Sequence, residues 1–214
     1  MSIESGINLG LAIVTALAAV LALFFSGFQI HKSNQQALLD RRMNACLKLQ
    51  SLLSLCEEHR SVAKQLLSDG ERGPVFSTDL FFLFMTNNTF LEEIQPAIKH
   101  ALDSEWQRKY LLKMEEIKCL SQEVDLIFPR KPGGVLAFFL CSYQEMLVSL
   151  YKYQVLLNDL SKDSENDKRP FPTDDPFEVR CRKNWENTIK KTFDQCDQIF
   201  RTGALEKARR KTRL

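Results

Sequence analysis

The sequence predicts an all-α protein: an N-terminal transmembrane helix that continues into an antiparallel cytoplasmic bundle of four or five helices. Two observations predict this fold, an uncharged apolar run near the N-terminus and helical spacing of apolar residues through most of the remaining chain. The 214 residues include only 8 Gly and 7 Pro, too few for an all-β chain, which needs a turn signal about every 8–12 residues. With 44% apolar and 26% charged residues, the chain matches neither a disordered protein nor a disulfide-stapled miniprotein.

The apolar run is long enough to cross a membrane. Residues 5–30 contain no charged side chain, and the stretch from Leu9 to Phe28 reads LGLAIVTALAAVLALFFSGF. Twenty helical residues rise about 30 Å, which is the thickness of a hydrocarbon core. A cleaved signal peptide and a buried core helix fit less well, because the run is too long and Glu4 is the only charged side chain before it. The sequence therefore predicts an anchor in a lipid bilayer.

Flanking charges predict how the span is oriented. Lys32, Arg41 and Arg42 follow the run, whereas no Lys or Arg precedes it. By the positive-inside rule we expect a single-pass membrane protein, with its N-terminus outside and its C-terminal domain in the cytoplasm. The chain then divides into residues 1–32, the N-terminal stub and transmembrane helix, residues 33–205, the helical cytoplasmic domain, and residues 206–214, a basic C-terminal tail.

Five stretches of the chain predict the helices of the bundle. Residues 33–69 contain no Pro or Gly, so we expect one long helix that emerges from the bilayer. Residues 79–102 indicate two short helices or one bent helix, because Asn87, Asn88 and Pro96 interrupt the apolar pattern. Three more helices are predicted from Trp106 to Ile127, from about Val135 to Leu160 and from Phe177 to Phe200, with Gly203 as the C-cap of the last.

The sequence offers no grouping of residues that is typical of catalysis. Cys56 and His59 supply only half of the ligands that a structural zinc site needs, and the other two His are isolated. Gly-rich phosphate loops and nucleophile elbows are absent, and the carboxylate pairs at 57–58, 92–93 and 115–116 indicate solvated helix faces. We therefore expect no enzyme activity, no cofactor and no metal. The six Cys are predicted to be buried thiols in a reducing compartment.

The C-terminal tail is the most strongly basic segment of the chain. Beside a single acid, Glu206, it contains the basic residues Lys207, Arg209, Arg210, Lys211 and Arg213. A solvated, frayed end is the simpler interpretation. If the tail has a ligand, anionic lipid is favoured, because each basic side chain near an anionic membrane gains about 1 kcal/mol. The aromatic residues of the last helix follow its apolar stripe and not its basic face, which argues against nucleic acid.

Small residues recur at helical spacing within the apolar run. They are Gly6 and Gly10 in one pair, and Ala12 and Ala16 in another. Faces of this kind allow two helices to approach closely in lipid. The pattern leaves homo-oligomerisation through the span open.

The end of the span and the start of the helical domain read FFSGFQIHKSNQQALLDRR, at residues 24–42. In this layout, over about residues 7–60, the chain resembles uncharacterised bacterial single-span membrane proteins. The resemblance implies a helical cytoplasmic domain on an inner membrane, and it assigns no functional residues.

Two functions follow as hypotheses. The first is a membrane-anchored helical interaction module that binds an unidentified protein partner and localises it at the cytoplasmic face. The second is a membrane-acting effector, of the toxin or phage-defence type, that oligomerises through its span and makes the bilayer leak. A single apolar span offers no polar lumen, which counts against the second.

Overall fold

The computed structural model describes residues 3–68, 78–129, 131–167 and 176–212. Over these ranges the chain is helical apart from short turns, and it contains no strand there. The chain divides into two compact units, residues 1–41 and residues 42–214. The prediction of an all-α protein with an N-terminal apolar helix is confirmed.

Seven α-helices and one 3₁₀ helix make up the described part of the chain. They are α1 (Ile3–Glu58), α2 (Arg60–Ser68), α3 (Thr78–Met85), the 3₁₀ helix Glu92–Ile98, α4 (Ser104–Ile127), α5 (Lys131–Asp167), α6 (Pro176–Thr202) and α7 (Ala204–Arg210). Only His59 separates α1 from α2. Its N–H donates to the Leu55 carbonyl at 3.0 Å, and the Ala63 N–H donates to the His59 carbonyl at 3.0 Å. The predicted long helix is therefore almost continuous.

The segment that was expected to bend forms two short helices, α3 and the 3₁₀ helix. Between them the Asn88 side-chain oxygen accepts a hydrogen bond from the Leu91 N–H at 2.8 Å. Asn side chains that bond the backbone in this way compete with the α-helix and favour a turn. Pro96, which was expected to interrupt the apolar pattern, lies inside the 3₁₀ helix.

Asp103 provides the N-cap of α4 by accepting a hydrogen bond from the Glu105 N–H at 2.9 Å.

The turn between α4 and α5 is unusually tight. At the turn, a Cβ atom on Gly133 would lie only 2.0 Å from the carbonyl oxygen of Phe128, so a side chain there requires the backbone to move. Helix α5 begins at Lys131, earlier than predicted, because Pro132 is well suited to the first turn of a helix.

Helix α5 is at the centre of the second unit, where it contacts α3, α4, α6 and α7. Its buried side chains include Leu136, Phe139, Tyr143 and Leu150, each with no exposed surface. The largest fully buried side chains of the described chain come from several helices, and they include Trp185, Tyr110, Tyr143, Phe81, Phe82, Phe128 and Phe139. One contiguous core therefore holds the unit together.

A short helix follows α6 at the C-terminal end of the described chain. Gly203 has a φ of 60°, the left-handed conformation that favours glycine, and it separates α6 from α7. Ala204, Leu205 and Ala208 of α7 are buried in the second unit. Helix α7 therefore includes the first five residues of the basic segment 206–214, and Ala204, Leu205 and Ala208 supply its buried face.

Two of the described helices are long and apolar enough to cross a membrane, by length and composition only. One is α1, whose apolar stretch is not buried in the structure. The other is α5, and more than half of its apolar stretch is buried inside the second unit. Burial of this kind is typical of the core helix of a folded domain.

Candidate functional site

The apolar segment of α1 exposes its side chains almost without exception. From residue 13 to Ile30 every side chain is exposed, and Leu23 and Phe24 reach 75% and 72%. A contiguous apolar surface of this extent marks an interaction with a membrane or another protein. Thr15, one of two polar interruptions, donates its hydroxyl hydrogen to the Leu11 carbonyl at 2.8 Å, so its polar atom is satisfied within the helix.

The second unit carries a groove between α4 and α5, called here the α4–α5 groove. Its volume is about 820 Å³, within the range of about 300–1,000 Å³ that is common for ligand sites. The residues that line it are Gln107, Tyr110, Leu111, Met114, Glu115, Lys118, Cys119, Gln122, Gln144, Val148, Tyr151, Lys152 and Val155. Since the α4 residues run from 107 to 122, the groove follows about 22 Å of that helix at 1.5 Å per residue.

Two stacked tyrosines lie at one end of this groove. The rings of Tyr110 and Tyr151 are 4.2 Å apart between centroids and nearly parallel, at 14°. The Tyr151 hydroxyl donates to the Ala101 carbonyl at 2.5 Å. The Tyr110 hydroxyl is buried and has no hydrogen-bond partner within the described ranges. Burial, and to a smaller extent the neighbouring Tyr151, raises the pKa of Tyr110 well above its usual value.

The rim of the groove combines apolar and charged side chains. Leu111 is 58% exposed, and Cys119 is also exposed, so the prediction that all six Cys are buried is wrong at this position. Lys118 and Lys152 add positive charge and Glu115 adds one negative charge. The rim therefore fits a ligand that is largely apolar and carries some negative charge.

An ion-pair network links α1, the 3₁₀ helix and α4. The buried Lys113 contacts Glu93 and donates to Glu116 at 2.6 Å, while Lys48 of α1 donates to Glu116 at 3.0 Å. Burial lowers the pKa of Lys113, but hydrogen bonds with Glu116 and Glu93 outweigh this effect and raise it. Burial likewise raises the pKa of Glu116, and the hydrogen bonds from Lys113 and Lys48 outweigh it and lower the value. This network is structural, because it fixes three elements around the cation.

A second polar cluster joins α1, α2 and α6. Arg60 pairs with Glu57 and, at 2.7 Å, with Asp197. In each of the carboxylate pairs that were predicted to be solvated, at least one carboxylate therefore binds a buried or half-buried cation. The Cys196 thiol donates to the Glu57 carboxylate at 3.7 Å, and Cys56 is hydrogen-bonded to Cys196.

His59, which with Cys56 supplies half of the ligands of a structural zinc site, packs against an aromatic ring. Within the part of the chain that the structure describes, no group of three or more His, Cys, Asp or Glu side chains is placed to hold a metal ion. The ring of His59 instead stacks on Phe84, with centroids 4.7 Å apart.

The predicted basic residues do not all share one environment. The Lys207 ammonium donates to the Thr202 carbonyl at 2.7 Å, at the C-terminus of α6, where a cation is favourable. Arg209 instead donates to the side chain of Gln50 on α1. Lys211 donates to the Pro129 carbonyl at 3.5 Å, in the α4–α5 turn. Arg210 is exposed, and Arg213 lies outside the described residues.

The predicted packing face of the span is described only in part. Gly6, Gly10 and Ala12 lie within α1, but their surroundings fall outside what the structure describes. Ala16 is exposed, as a residue on a contact face between two spans must be.

Neither the α4–α5 groove nor the contact of Arg209 with Gln50 of α1 was predicted from the sequence. One signal for the groove exists in the sequence: Leu111 and Leu112 interrupt the polar side of α4 and stand outside the stripe of Trp106, Tyr110 and Met114. Both leucines are more than half exposed. Because Arg209 and Gln50 are far apart in the chain, no local sequence pattern predicts their contact.

Comparisons of this chain with known protein families, with curated proteins and with solved structures find no match.

Proposed function

We propose that this protein is a membrane-anchored helical interaction module, which holds a partner protein at the cytoplasmic face of a bacterial inner membrane. The observation that carries the proposal is the composition of α1. This one helix contains an uncharged apolar stretch with exposed side chains and then continues into a compact helical unit. Exposed apolar surface of this length is stable in lipid and costly in water.

Flanking charge supports a single-pass orientation with the second unit in the cytoplasm. Lys32 and Arg41, both exposed, follow the apolar stretch, and residues 1–8 contain no Lys or Arg. Basic residues near a span are retained on the cytoplasmic side. The second apolar helix, α5, is a core helix in this proposal, because Tyr143 and the other buried residues of α5 pack against four neighbouring elements.

The contacts of α5 support an antiparallel arrangement of the bundle helices. Along α4, Ser121 donates to the Ala137 carbonyl at 2.9 Å, whereas the Met114 carbonyl accepts from Gln144 at 2.9 Å. Residue numbers therefore fall along one helix as they rise along the other. Thr192 of α6 donates to the Ser142 carbonyl at 2.9 Å, and Thr188 is hydrogen-bonded to Ser149 at 2.6 Å. Residue numbers on α6 therefore also fall as those on α5 rise.

The α4–α5 groove is the proposed site of partner binding. A groove about 22 Å long between two helices fits an amphipathic helix of about four turns, which would place apolar side chains between Leu111 and Val148. Lys118 and Lys152 on the rim favour an acidic side chain at each end of that helix. The buried Tyr110 hydroxyl, which lacks a partner in the described chain, is a donor for a carbonyl or carboxylate of the ligand.

Affinity capture with two matched variants tests this proposal. The tagged full chain is expressed, cross-linked in cells and purified from solubilised membranes, and captured proteins are quantified by mass spectrometry. Leu111→Asp places a charge in the groove, and Leu126→Asp is the control, because Leu126 is 80% exposed on the same helix and does not line the groove. Both positions are exposed, so both variants are expected to fold.

We expect a defined set of proteins to be captured by the unaltered chain and by Leu126→Asp, and to be lost or reduced at least tenfold with Leu111→Asp. Circular dichroism must show equal helicity for the two variants. Equal capture by all three chains would contradict the groove as the binding site. An absence of any captured protein from the membrane fraction would contradict the interaction function itself.

A further inference from the structure

We propose that the basic end of the second unit docks on the anionic phospholipid headgroups of the membrane that anchors the chain. This basic end is defined by Arg42, Lys131, Arg209, Arg210 and Lys211. The inference rests on the proposed membrane anchoring, and it adds a lipid-binding surface outside the α4–α5 groove. Four of its five members come from elements far apart in sequence from Arg42, and the fold brings them together.

Three chain segments meet at this end. Arg42, the first residue of the second unit, donates from Nε to the Ile127 carbonyl at 3.0 Å, at the end of α4. Lys211 donates to the Pro129 carbonyl at 3.5 Å, within the same turn, and Lys131 begins α5 directly after it. Arg209 reaches Gln50 of α1. The start of the unit, the α4–α5 turn and the C-terminal helix therefore share one end.

The cations at this end are not neutralised by protein carboxylates. Arg42 and Lys211 bond backbone carbonyls, and Arg209 bonds a neutral amide. Throughout the described ranges, no carboxylate forms an ion pair with any of the five, in contrast to Lys113 and Arg60. Asp125 and Glu206 are acidic side chains of the same segments, so positive charge remains in excess. Unpaired guanidinium and ammonium groups suit phosphate oxygens.

Exposed apolar side chains lie on the same stretch of α1. Met43 is 49% exposed and Leu47 is 60% exposed, and their spacing of four residues places them on one face. Gln50, the partner of Arg209, lies three residues beyond Leu47. Apolar side chains bordered by basic ones are typical of helices that rest in the headgroup region.

Covalent continuity identifies the occupant as a membrane and not a free anion or a nucleic acid. The chain passes from the apolar stretch, which ends at Ile30, directly along α1 to Arg42. Arg42, the first residue of this end, follows Ile30 by twelve residues. Anionic lipid therefore has a high effective concentration there, and each Lys or Arg near such a surface strengthens attachment about fivefold.

Lysine footprinting of the full chain in lipid nanodiscs tests the proposal. Discs are made from phosphatidylcholine alone, or from phosphatidylcholine with about one-third phosphatidylglycerol, and the chain is treated with a neutral acetylating reagent. Acetylation rates are followed by mass spectrometry at Lys131 and Lys211. The exposed Lys99 and Lys152 serve as internal controls, because both lie outside the basic end.

We expect Lys131 and Lys211 to react at least about fivefold more slowly in the anionic discs than in the neutral ones, with unchanged rates at both control lysines. Raising the salt concentration to 1 M is expected to remove the difference, since it shortens the screening length to about 3 Å. A variant with Arg42→Gln, Arg209→Gln and Arg210→Gln is expected to lose the protection. The charge-matched control, Arg108→Gln, Arg180→Gln and Lys183→Gln, is expected to keep it.

Equal rates in the two kinds of disc would overturn lipid docking and leave the basic end to a protein or nucleic acid. Protection that survives in the Arg42, Arg209 and Arg210 variant would overturn it as well. Failure of the chain to incorporate into either disc is a different result, because it would refute the membrane anchoring on which the inference rests. Incorporation is scored separately, by co-elution of the chain with the discs.

Discussion

The indole of Trp185 packs against the ring of Tyr153, with 5.7 Å between the two centroids, where α5 meets α6. Trp185 is 1% exposed and is the largest fully buried side chain of the described chain. The Tyr153 hydroxyl in turn donates to the buried Glu178 carboxylate at 2.5 Å. Burial, and then the hydrogen bond with Glu178, raises the pKa of Tyr153, so this hydroxyl stays protonated at neutral pH.

Replacement of Trp185 by Ala is expected to lower the free energy of unfolding by about 3–5 kcal/mol, the usual cost of removing a large aromatic ring from a core. Urea unfolding of the full chain in detergent micelles, followed by circular dichroism, measures the change. Trp106→Ala is the control, because Trp106 is only partly buried, and its cost is expected to be clearly smaller. Equal costs for the two substitutions would place Trp185 outside the core.

The network around Lys113 makes stability depend on pH. The folded-state pKa of Glu116 lies below its ordinary value of 4.5, so its ion pairs stabilise the fold above that pH. This stabilisation is lost as the pH falls through the lowered folded-state pKa. Glu116→Gln is therefore expected to lower the free energy of unfolding at pH 7 by about 1 kcal/mol or less, because the carboxylate is partly solvated.

The loss caused by Glu116→Gln should shrink as the pH falls through the lowered folded-state pKa of Glu116, because the carboxylate of the unaltered chain then becomes protonated. Urea midpoints at pH 7 and at about pH 3 measure this difference. Glu115→Gln provides the control, since Glu115 is exposed and has no ion pair among the described residues. A penalty for Glu116→Gln that is the same at both pH values would contradict the electrostatic account.

Fusion reporters test the predicted topology. Because Lys32 and Arg41 follow the apolar stretch and residues 1–8 contain no Lys or Arg, the C-terminal domain is expected in the cytoplasm. An alkaline phosphatase fusion at Leu214 should be inactive, whereas a green fluorescent protein fusion at the same residue should fluoresce. High phosphatase activity would reverse the orientation.

Dye leakage from liposomes separates the interaction module from a membrane-acting effector. The apolar stretch offers only Thr15 and Ser26 as polar side chains between residues 9 and 28, and the Thr15 hydroxyl is bonded within its own helix. Assembled spans would have almost no polar group to line a water-filled pore. We expect reconstituted full chain to release no more dye than empty liposomes, and concentration-dependent release would favour the effector.

Local patterns in the sequence were sufficient for most of the helices. The apolar stripe that includes Tyr110, Met114 and Val124 predicted α4 by its helical spacing. In the structure these three residues are buried. Gly203 was predicted as a helix end because a left-handed glycine acts within a few residues of chain. Features of this range are readable from spacing alone.

Long-range packing decided what the sequence could not reveal. The α4–α5 groove exists because Tyr110 and Tyr151 stack while Leu111, one residue away, is left exposed. Helix α7 packs because Ala204, Leu205 and Ala208 find a buried face in the second unit, although basic residues dominate its composition. The partners of Arg42 and Arg209 are fixed by tertiary contacts that no periodicity encodes.

Alkaline carbonate extraction of membranes tests the central claim, anchoring of the helical unit through α1, most directly. The full chain is expressed, the membrane fraction is washed at high pH, and the chain is quantified in pellet and supernatant. The control variant, Leu17→Asp and Leu21→Asp, changes two exposed residues of the apolar stretch, at a cost of about 3 kcal/mol for each charge at the centre of a span. The account predicts that the unaltered chain stays in the pellet and that the variant moves to the supernatant. Release of the unaltered chain by carbonate would contradict it.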